Sequence, residues 1–241
     1  MKSILLTICA RGGSKGLPNK NISIVGGIPL IAHSILQAKK WGKARHIVVS
    51  TDSRKISRVA KTFGAEVPFL RPRVLATDDV SKLPVLTHAL IQSEKIFNTQ
   101  FDIVVDLDPT APVRRQMDFK RALEVFVKFQ KPVCFSVTKA RKNPYFNMVE
   151  KSKGGVVSLS KKLPRDVFRR QDAPEVWDMN ASIYVYDRKF LLTHPKTFWN
   201  VETEIIPMDP ECAFDIDLPR DRIIVEALMQ HYNVGNPSLV S

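Results

Sequence analysis

An apolar run near the start of the chain breaks abruptly into a glycine-rich, basic loop. Ser3 to Ala10 has the composition of a buried strand, and the loop after it extends to Asn21. Glycine adopts backbone conformations that other residues avoid, so successive N–H groups can turn toward one anion. The loop contains three glycines and three cations, namely Gly12, Gly13, Gly16, Arg11, Lys15 and Lys20. We predict a strand leading into a triphosphate-binding loop; the alternative is an ordinary strand-to-helix turn.

The loop matches neither of two common nucleotide-binding motifs. Lys15 is followed by Gly16 rather than by Ser or Thr, so the loop is not a Walker A motif. The G-x-G-x-x-G spacing of a dinucleotide fingerprint is also absent. The chain shows no convincing Ser-His-Asp or Cys-His grouping, so covalent hydrolase chemistry has no support.

Apolar strand-like runs alternate with amphipathic helix-like runs along the chain. The patterns predict strands at 46–51, 66–71, 101–108, 132–138, 175–186 and 203–208, and helices at 29–41, 53–63, 82–97, 117–129 and 219–232. In the last helix, Ile223, Ile224, Ala227 and Leu228 are predicted to face inward. This alternation is typical of an α/β protein whose parallel sheet is covered on both faces. We therefore predict a doubly wound, mostly parallel, Rossmann-like sheet formed by one domain over residues 1–241.

The regular alternation is interrupted between residues 141 and 171. This segment is basic, and residues 149–158 have the pattern of a hairpin around Gly154 and Gly155. We predict a small β-rich excursion from the main sheet.

Asp215 and Asp217 alternate along an extended segment just before the last predicted helix. Their side chains are expected to point the same way, with Ile216 turned into the core. Two such carboxylates can hold Mg²⁺, which typically takes one or two carboxylates and completes its shell with phosphate oxygens and water. The alternative is that the pair stabilises the N-terminus of the following helix.

Composition gives expectations about compartment and partners. The formal net charge is +13, which would suit a nucleic-acid-binding protein, but the cations are dispersed and have little aromatic interleaving. Three scattered cysteines fit reduced thiols better than disulfides or a metal cluster, and no run is long and apolar enough to span a membrane. We expect a cytoplasmic protein that binds neither nucleic acid nor membrane.

Six segments resemble, in the right order, the motifs of the acylneuraminate cytidylyltransferases, also called CMP-sialic acid synthetases. They lie at 10–21, 71–78, 108–114, 143–147, 170–184 and 214–217. The resemblance implies transfer of CMP from CTP to the anomeric hydroxyl of a nonulosonic acid, an acidic nine-carbon sugar, with release of pyrophosphate. It also implies a nucleotidyltransferase fold, a Mg²⁺ cofactor, and a dimerisation arm at about 141–171 in a homodimer or a dimer of dimers.

The resemblance implies a role for each matching residue. The catalytic residues would be Arg11, Lys15 and Asp217, and the metal ligands Asp215 and Asp217. The nucleotide would be bound by Arg11, Gly12, Gly13, Ser14, Lys15, Lys20, Asn21, Arg71 and Asp108. The sugar would be bound by Asn147, Arg170, Asp178, Asn180 and Tyr184.

Two departures favour one branch of that family. Typical sialic-acid members have glutamine where this chain has Asp108, and arginine where it has Asp178. With the segments at 107–113, 141–149 and 178–184, these positions resemble the CMP-legionaminic acid synthetases. CMP-N-acetylneuraminate synthetase, CMP-3-deoxy-octulosonate synthetase, a guanylyl or uridylyl sugar transferase, and a basic nucleic-acid-binding protein remain the alternatives.

Overall fold

A six-stranded sheet forms the centre of the molecule, and the computed structural model describes residues 2–13 and 16–234. The strands lie in the order β10, β6, β9, β5, β1, β4. They are β1 (Ile4–Cys9), β4 (His46–Ser50), β5 (Ile103–Leu107), β6 (Val133–Lys139), β9 (Trp177–Asp187) and β10 (Thr203–Met208). All neighbours pair in parallel except β9, which runs antiparallel to both β5 and β6. The predicted mostly parallel sheet is confirmed.

Helices cover both faces of this sheet, as the strand–helix alternation predicted. One face packs against α1 (Leu30–Trp41), α2 (Arg54–Thr62) and α4 (Gln116–Phe129). The other packs against α3 (Lys82–Phe97) and α5 (Arg188–Leu192). The last helix, α6 (Pro219–His231), belongs to a smaller apolar cluster with Val25, Leu30 and Ile216. No helix in the described part of the chain is long and apolar enough to cross a membrane.

Two small hairpins lie outside the sheet. The first, β2 (Ile24–Val25) with β3 (Ile28–Pro29), follows the glycine-rich loop. The second, β7 (Val149–Lys151) with β8 (Val157–Leu159), is the predicted hairpin, and all six of its strand residues are exposed. Gly155 at its turn has φ +85°, a value that glycine adopts without strain.

Two details of the sequence prediction were wrong. The predicted strand at 66–71 is reduced to a single parallel bridge between Val48 and Glu66, since Pro68 has no N–H to continue a ladder. On α6, Val225 and Met229 are buried, whereas Ile223 is 72% exposed and Ile224 and Ala227 are also exposed. This helix has apolar residues on more than one side. The side with Val225 and Met229 packs in the cluster with Ile216, and the sequence pattern did not distinguish it from the others.

Candidate active site

The candidate site lies where the carboxyl ends of β4, β1, β5 and β6 meet at one edge of the sheet. Because β9 runs the other way, its first residues, Trp177 to Asn180, reach the same edge. This is the edge at which open α/β sheets bind ligands. The strand order puts the predicted nucleotide segments beside β4 and β1 and the predicted sugar segment beside β9 and β6. Asp108, just after β5, lies between them.

Contacts from three directions hold the glycine-rich loop after β1. The Gly12 N–H donates to Asp52 Oδ1 at 2.9 Å, and Asn21 Nδ2 donates to the Arg11 carbonyl at 3.2 Å. Arg11 Nη1 lies 2.6 Å from Asp78 Oδ1, which joins the loop to the predicted second motif. The sequence analysis assigned no role to Asp78 or Asp52. Ser53 caps the following helix, accepting from the Ile56 N–H at 3.4 Å.

The middle of the loop is only partly described. Ser14 and Lys15, both predicted phosphate ligands, lie outside the described residues. Gly13 has open space around its Cα, whereas a Cβ on Gly16 would lie 2.6 Å from the Asp217 carbonyl oxygen. Gly16 therefore permits a close approach between the loop and the segment that precedes α6.

Arg71 and Asn21, the predicted cytidine-binding residues, are both buried near this loop. Arg71 Nε donates to Ser50 Oγ at 3.2 Å, Nη2 donates to the Ser50 carbonyl, and its own N–H donates to the Thr51 carbonyl at 2.8 Å. These bonds fix Arg71 at the end of β4. Asn21 Oδ1 is buried and has no hydrogen-bond partner among the described residues, so it can accept from a ligand donor.

Asp215 and Asp217 have the alternation predicted for them. Ile216 is fully buried between them, and its N–H donates to the Thr110 carbonyl at 2.9 Å. This bond ties the segment to the loop after β5. Asp217 Oδ1 accepts from Lys20 Nζ at 2.7 Å, so a predicted phosphate ligand and a predicted metal ligand are in direct contact.

The backbone N–H groups at the start of α6 bond to a different carboxylate, and the helix-stabilising role of Asp215 and Asp217 stays an alternative. Asp221 Oδ2 accepts from the Asp217 and Leu218 N–H groups, at 3.0 and 2.7 Å. Burial, together with the charge of Asp217, raises the pKa of Asp215 above its ordinary value. Residues 2–13 and 16–234 contain no group of three or more His, Cys, Asp or Glu side chains placed to hold a metal. A metal here would have two carboxylates and would need further oxygens from its ligands, as Mg²⁺ does at phosphate sites.

A buried ion cluster that sequence reasoning missed lies beneath Asp108. Lys82 Nζ is 2.6 Å from Asp106 Oδ2 and 3.2 Å from Asp108 Oδ2. Thr7 Oγ1 donates to Asp106 Oδ1 at 2.8 Å, and Asp108 Oδ1 accepts from the Thr110 N–H and hydroxyl at 3.0 and 2.8 Å. Burial alone would raise the pKa of Asp108, but Lys82 and the Thr110 bonds lower it below its ordinary value. Lys82 begins a helix, and nothing in its sequence spacing indicates that it reaches two carboxylates of β5.

The predicted sugar residues on β9 have different environments. Tyr184 is buried under Lys82, whose Nζ lies 5.2 Å from the centre of its ring, and Asp178 is exposed opposite Thr138. The amide of Asn180 is internal: Oδ1 accepts from Ser136 Oγ at 2.6 Å and Nδ2 donates to the Cys212 carbonyl at 3.0 Å. These bonds hold Asn180 in the interior, and its contact with a sugar stays a prediction.

A bulge in β9 shapes the centre of the site. Ala181 has φ +49°, and the pairing with β6 shifts between Phe135 and Val137. The Ser182 carbonyl at the bulge accepts from the Asp108 N–H at 3.2 Å and from Arg114 Nη1 at 2.8 Å. Arg114 is thus a buried side chain that joins the segment after β5 to the bulge in β9.

Arg170 and Asn147 lie in the excursion and brace it. Arg170 Nη2 donates to the Ala140 and Arg141 carbonyls, at 2.9 and 2.8 Å. Asn147 Oδ1 accepts from the Asn143 N–H at 2.7 Å. Arg170 also lines a cleft of about 470 Å³ with Lys139, Asn143 and Glu175. Sugar contacts by Arg170 and Asn147 remain predictions.

The mostly parallel sheet, with a phosphate-type loop and an aspartate pair at one edge, defines a protein of the nucleotidyltransferase class. Residues 5–198 match the family described as cytidylyltransferase. The chain is 45% identical over 235 residues to a CMP-N,N'-diacetyllegionaminic acid synthase from Campylobacter jejuni, covering 98% of each chain. It is 44% identical to the post-translational flagellin modification protein B of Campylobacter coli, covering 97% of this chain and 98% of that one. The chain belongs to the cytidylyltransferase family and is a nucleotidyltransferase enzyme.

The fold of the chain is similar to that of a solved structure. A solved CMP:2-keto-3-deoxy-manno-octonic acid synthetase, complexed with CTP, superposes with a TM-score of 0.70 over 95% of this chain and 99% of that one. The two sequences are 20% identical. At that identity, the similarity shows a shared fold.

Proposed function

We propose that this enzyme transfers CMP from CTP to N,N'-diacetyllegionaminic acid, a nonulosonic acid, and releases pyrophosphate. The observation that carries the proposal is the contact between the glycine-rich loop and the Asp215–Asp217 segment, made by Lys20 with Asp217 and by Gly16 against the Asp217 backbone. It brings phosphate-binding cations and metal-binding carboxylates to one point. The full-length similarity to a synthase named for this product supports the choice of sugar.

In this proposal the loop binds the triphosphate. Arg11, Lys15 and Lys20 supply positive charge, and Ser14 and the N–H groups near Gly12 and Gly13 supply hydrogen bonds. Arg71 and Asn21 bind cytidine. Asn21 Oδ1, which has no partner among the described residues, supports this role, because it can accept a hydrogen bond from the amino group of cytosine.

The aspartate pair fits Mg²⁺. Asp217 and Asp215 present hard oxygen ligands, and burial, together with the charge of Asp217, raises the pKa of Asp215. When bound, Mg²⁺ would neutralise charge that develops on the phosphate oxygens. Asp215 and Asp217 would be the residues that hold it.

On the sugar side, the anomeric hydroxyl oxygen attacks the α-phosphorus. A new P–O bond forms to the sugar, the bond from the α-phosphorus to the bridging oxygen breaks, and pyrophosphate departs with that electron pair. The hydroxyl proton is lost to solvent. Catalysis in such a displacement is mainly positioning and charge neutralisation. Arg11, Lys15 and Asp217 would supply them, while Asp108, Asn147, Arg170, Asp178, Asn180 and Tyr184 would surround the substrates.

We also propose a homodimer or a dimer of dimers formed through the arm at about 141–171. Exposed apolar side chains on that arm support it: Phe168 is 84% exposed, and Val149, Val156 and Val157 are also exposed. Three free thiols fit a reducing cytoplasm, where CTP is available.

The test is a substrate panel read out by pyrophosphate release. Purified enzyme with CTP and Mg²⁺ would receive N,N'-diacetyllegionaminic acid, N-acetylneuraminic acid or 3-deoxy-octulosonate, and each sugar would be repeated with ATP, GTP and UTP. We expect the highest kcat/KM with CTP and the legionaminic acid. Preference for another sugar would overturn the sugar assignment. Release with GTP or UTP but not CTP would overturn the nucleotide assignment, and salt-sensitive RNA binding without turnover would favour the nucleic-acid alternative.

A further inference from the structure

Lys82 lies between two carboxylates at the centre of the site. Its ammonium nitrogen is 2.6 Å from Asp106 Oδ2 and 3.2 Å from Asp108 Oδ2, and its side chain is 29% exposed. Asp106 is fully buried, and its other oxygen accepts from Thr7. Two carboxylates so close together would repel each other without a cation between them.

A continuous series of bonds leads from Lys82 to the predicted metal ligands. Lys82 bonds to Asp108, and Asp108 Oδ1 accepts two hydrogen bonds from Thr110. The Thr110 carbonyl in turn accepts from the Ile216 N–H, at 2.9 Å. Ile216 is the buried residue between Asp215 and Asp217. The loop held by Asp108 therefore fixes the position of the aspartate pair.

The other groups facing Lys82 do not change charge near neutral pH. Burial raises the pKa of Cys9 on β1 to about 12, and it also raises the pKa values of Tyr184 and Tyr186 on β9. Arg71 and Arg114 contribute fixed positive charge from neighbouring segments. Burial opposes the charge on Lys82, but Asp106 and Asp108 raise its pKa well above the ordinary value. The cluster thus consists of one cation and two anions.

We propose that Lys82 is a positioning residue for cytidylyl transfer: it pairs with Asp106 and Asp108 and, through Asp108 and Thr110, fixes the Asp215–Asp217 pair. The reaction assay rests on the function proposed above. The pairing of Lys82 with Asp106 and Asp108 rests only on contacts within this chain.

The test compares Lys82→Met and Lys82→Arg with the wild type, using Lys120→Met, on the exposed side of α4, as the control. For Lys82→Met we expect a loss of turnover and a rise in the half-saturating Mg²⁺ concentration, each on the order of 10- to 100-fold, as for lost outer supports of metal ligands. The acidic limb of its kcat/KM profile should move to higher pH, because Asp108 loses the cation that helps to lower its pKa. Lys82→Arg should keep much of the wild-type turnover, Mg²⁺ dependence and pH profile. Lys120→Met should match the wild type.

A second measurement needs no substrate. The unfolding free energies of wild type and Lys82→Met should differ more at pH 8 than at pH 5. Lys82 helps to lower the pKa of Asp108, so without it the folded-state pKa of Asp108 rises, the folded variant gains a proton at low pH, and its stability is reduced as pH increases. An unchanged pH profile and Mg²⁺ dependence, equal impairment in Lys82→Arg, or a pH-independent stability difference would overturn the proposal. Absence of wild-type turnover on every sugar would instead refute the proposed function and leave the stability comparison decisive for the ion cluster.

Discussion

Lys20 Nζ lies 2.7 Å from Asp217 Oδ1, although 197 positions separate the two residues in the chain. The first belongs to the loop after β1, and the second belongs to the segment before α6. Only the completed fold brings them together. Their contact makes the glycine-rich loop and the aspartate pair parts of one site.

Asp217→Asn tests the metal assignment. The amide is a weaker ligand for a hard cation, so turnover should fall by orders of magnitude with little change in the unfolding temperature. Pyrophosphate release measured over a Mg²⁺ series would check this. Glu124→Gln, an exposed carboxylate on α4, is the matched control. Near-normal Mg²⁺-dependent turnover in Asp217→Asn would remove this residue from the metal site.

Arg11→Ala tests the loop as a triphosphate site. Loss of a charge-assisted contact worth about 1.5–3 kcal/mol should weaken CTP binding roughly 10- to 150-fold. Calorimetric titration with CTP would measure the change. Lys43→Ala removes an exposed cation just before β4, at the opposite edge of the sheet, and should leave the affinity unchanged. Equal CTP affinity in Arg11→Ala and wild type would make the loop a simple turn.

Gly16→Ala tests the close approach between the loop and the Asp217 backbone. The added Cβ would lie 2.6 Å from the Asp217 carbonyl oxygen, so the loop or the aspartate segment must shift. We expect at least a tenfold loss of turnover, since misplacement by about 1 Å can cost that much or more. Gly154→Ala, whose added Cβ would meet only Ser152 Oγ at 3.8 Å, is the control. Similar activity in both alanine variants would contradict the close approach.

Asp178→Arg tests sugar selection. The substitution replaces an exposed carboxylate on β9 with the cation that typical sialic-acid members have there. We expect kcat/KM for a 5,7-diacylamino nonulosonic acid to fall relative to N-acetylneuraminic acid, narrowing or reversing the preference. Asp178→Asn separates loss of the negative charge from gain of the positive one. An unchanged ratio in both variants would place Asp178 outside the selection.

His33→Gln tests a pH effect on stability. His33 Nε2 lies 2.8 Å from the Val25 carbonyl oxygen, whereas Nδ1 is buried without a partner among the described residues. Burial lowers the pKa of His33, so the unfolded chain takes up a proton before the folded one does. Wild type should therefore lose stability as pH falls below the ordinary histidine value, and His33→Gln should lose less. Denaturant unfolding at pH 7.5 and 5 would measure this, with His194→Asn as the exposed control. Parallel losses in wild type and His33→Gln would contradict the assignment.

The order of elements and most of their bounds could be predicted because each depends on local patterning. The burial of the run from Ile4 to Cys9 and of the apolar stripe of α1 could be predicted from the residues of those elements alone. The side of α6 that faces the core could not be predicted, since Ile223 and Val225 are both apolar and only packing against Ile216 distinguishes them.

The site residues also divide into those that local sequence could predict and those that it could not. The spacing of Asp215 and Asp217 left two roles open, and only the family resemblance favoured metal binding, whereas the loop residues were selected by their glycines and charges. Lys82 and Asp78 could not be identified, because their significance comes from partners on other strands and loops. The resemblance made Asn180 a predicted sugar ligand, but nothing in the sequence showed that its amide bonds to Ser136 and the Cys212 carbonyl. A polar residue on a strand does not reveal by its spacing which polar partner the sheet supplies.

The reversed direction of β9 has a consequence for how such enzymes can diversify. Lys139 at the end of β6 pairs with Trp177 at the start of β9, and the Ala140 N–H donates to the Val176 carbonyl at 3.1 Å. The excursion thus leaves and rejoins the sheet at adjacent, bonded positions, as the turn of a long hairpin does. Segments of different length or chemistry could be exchanged there without rethreading the sheet, so this scaffold can acquire new acceptor preferences while its nucleotide chemistry is inherited intact.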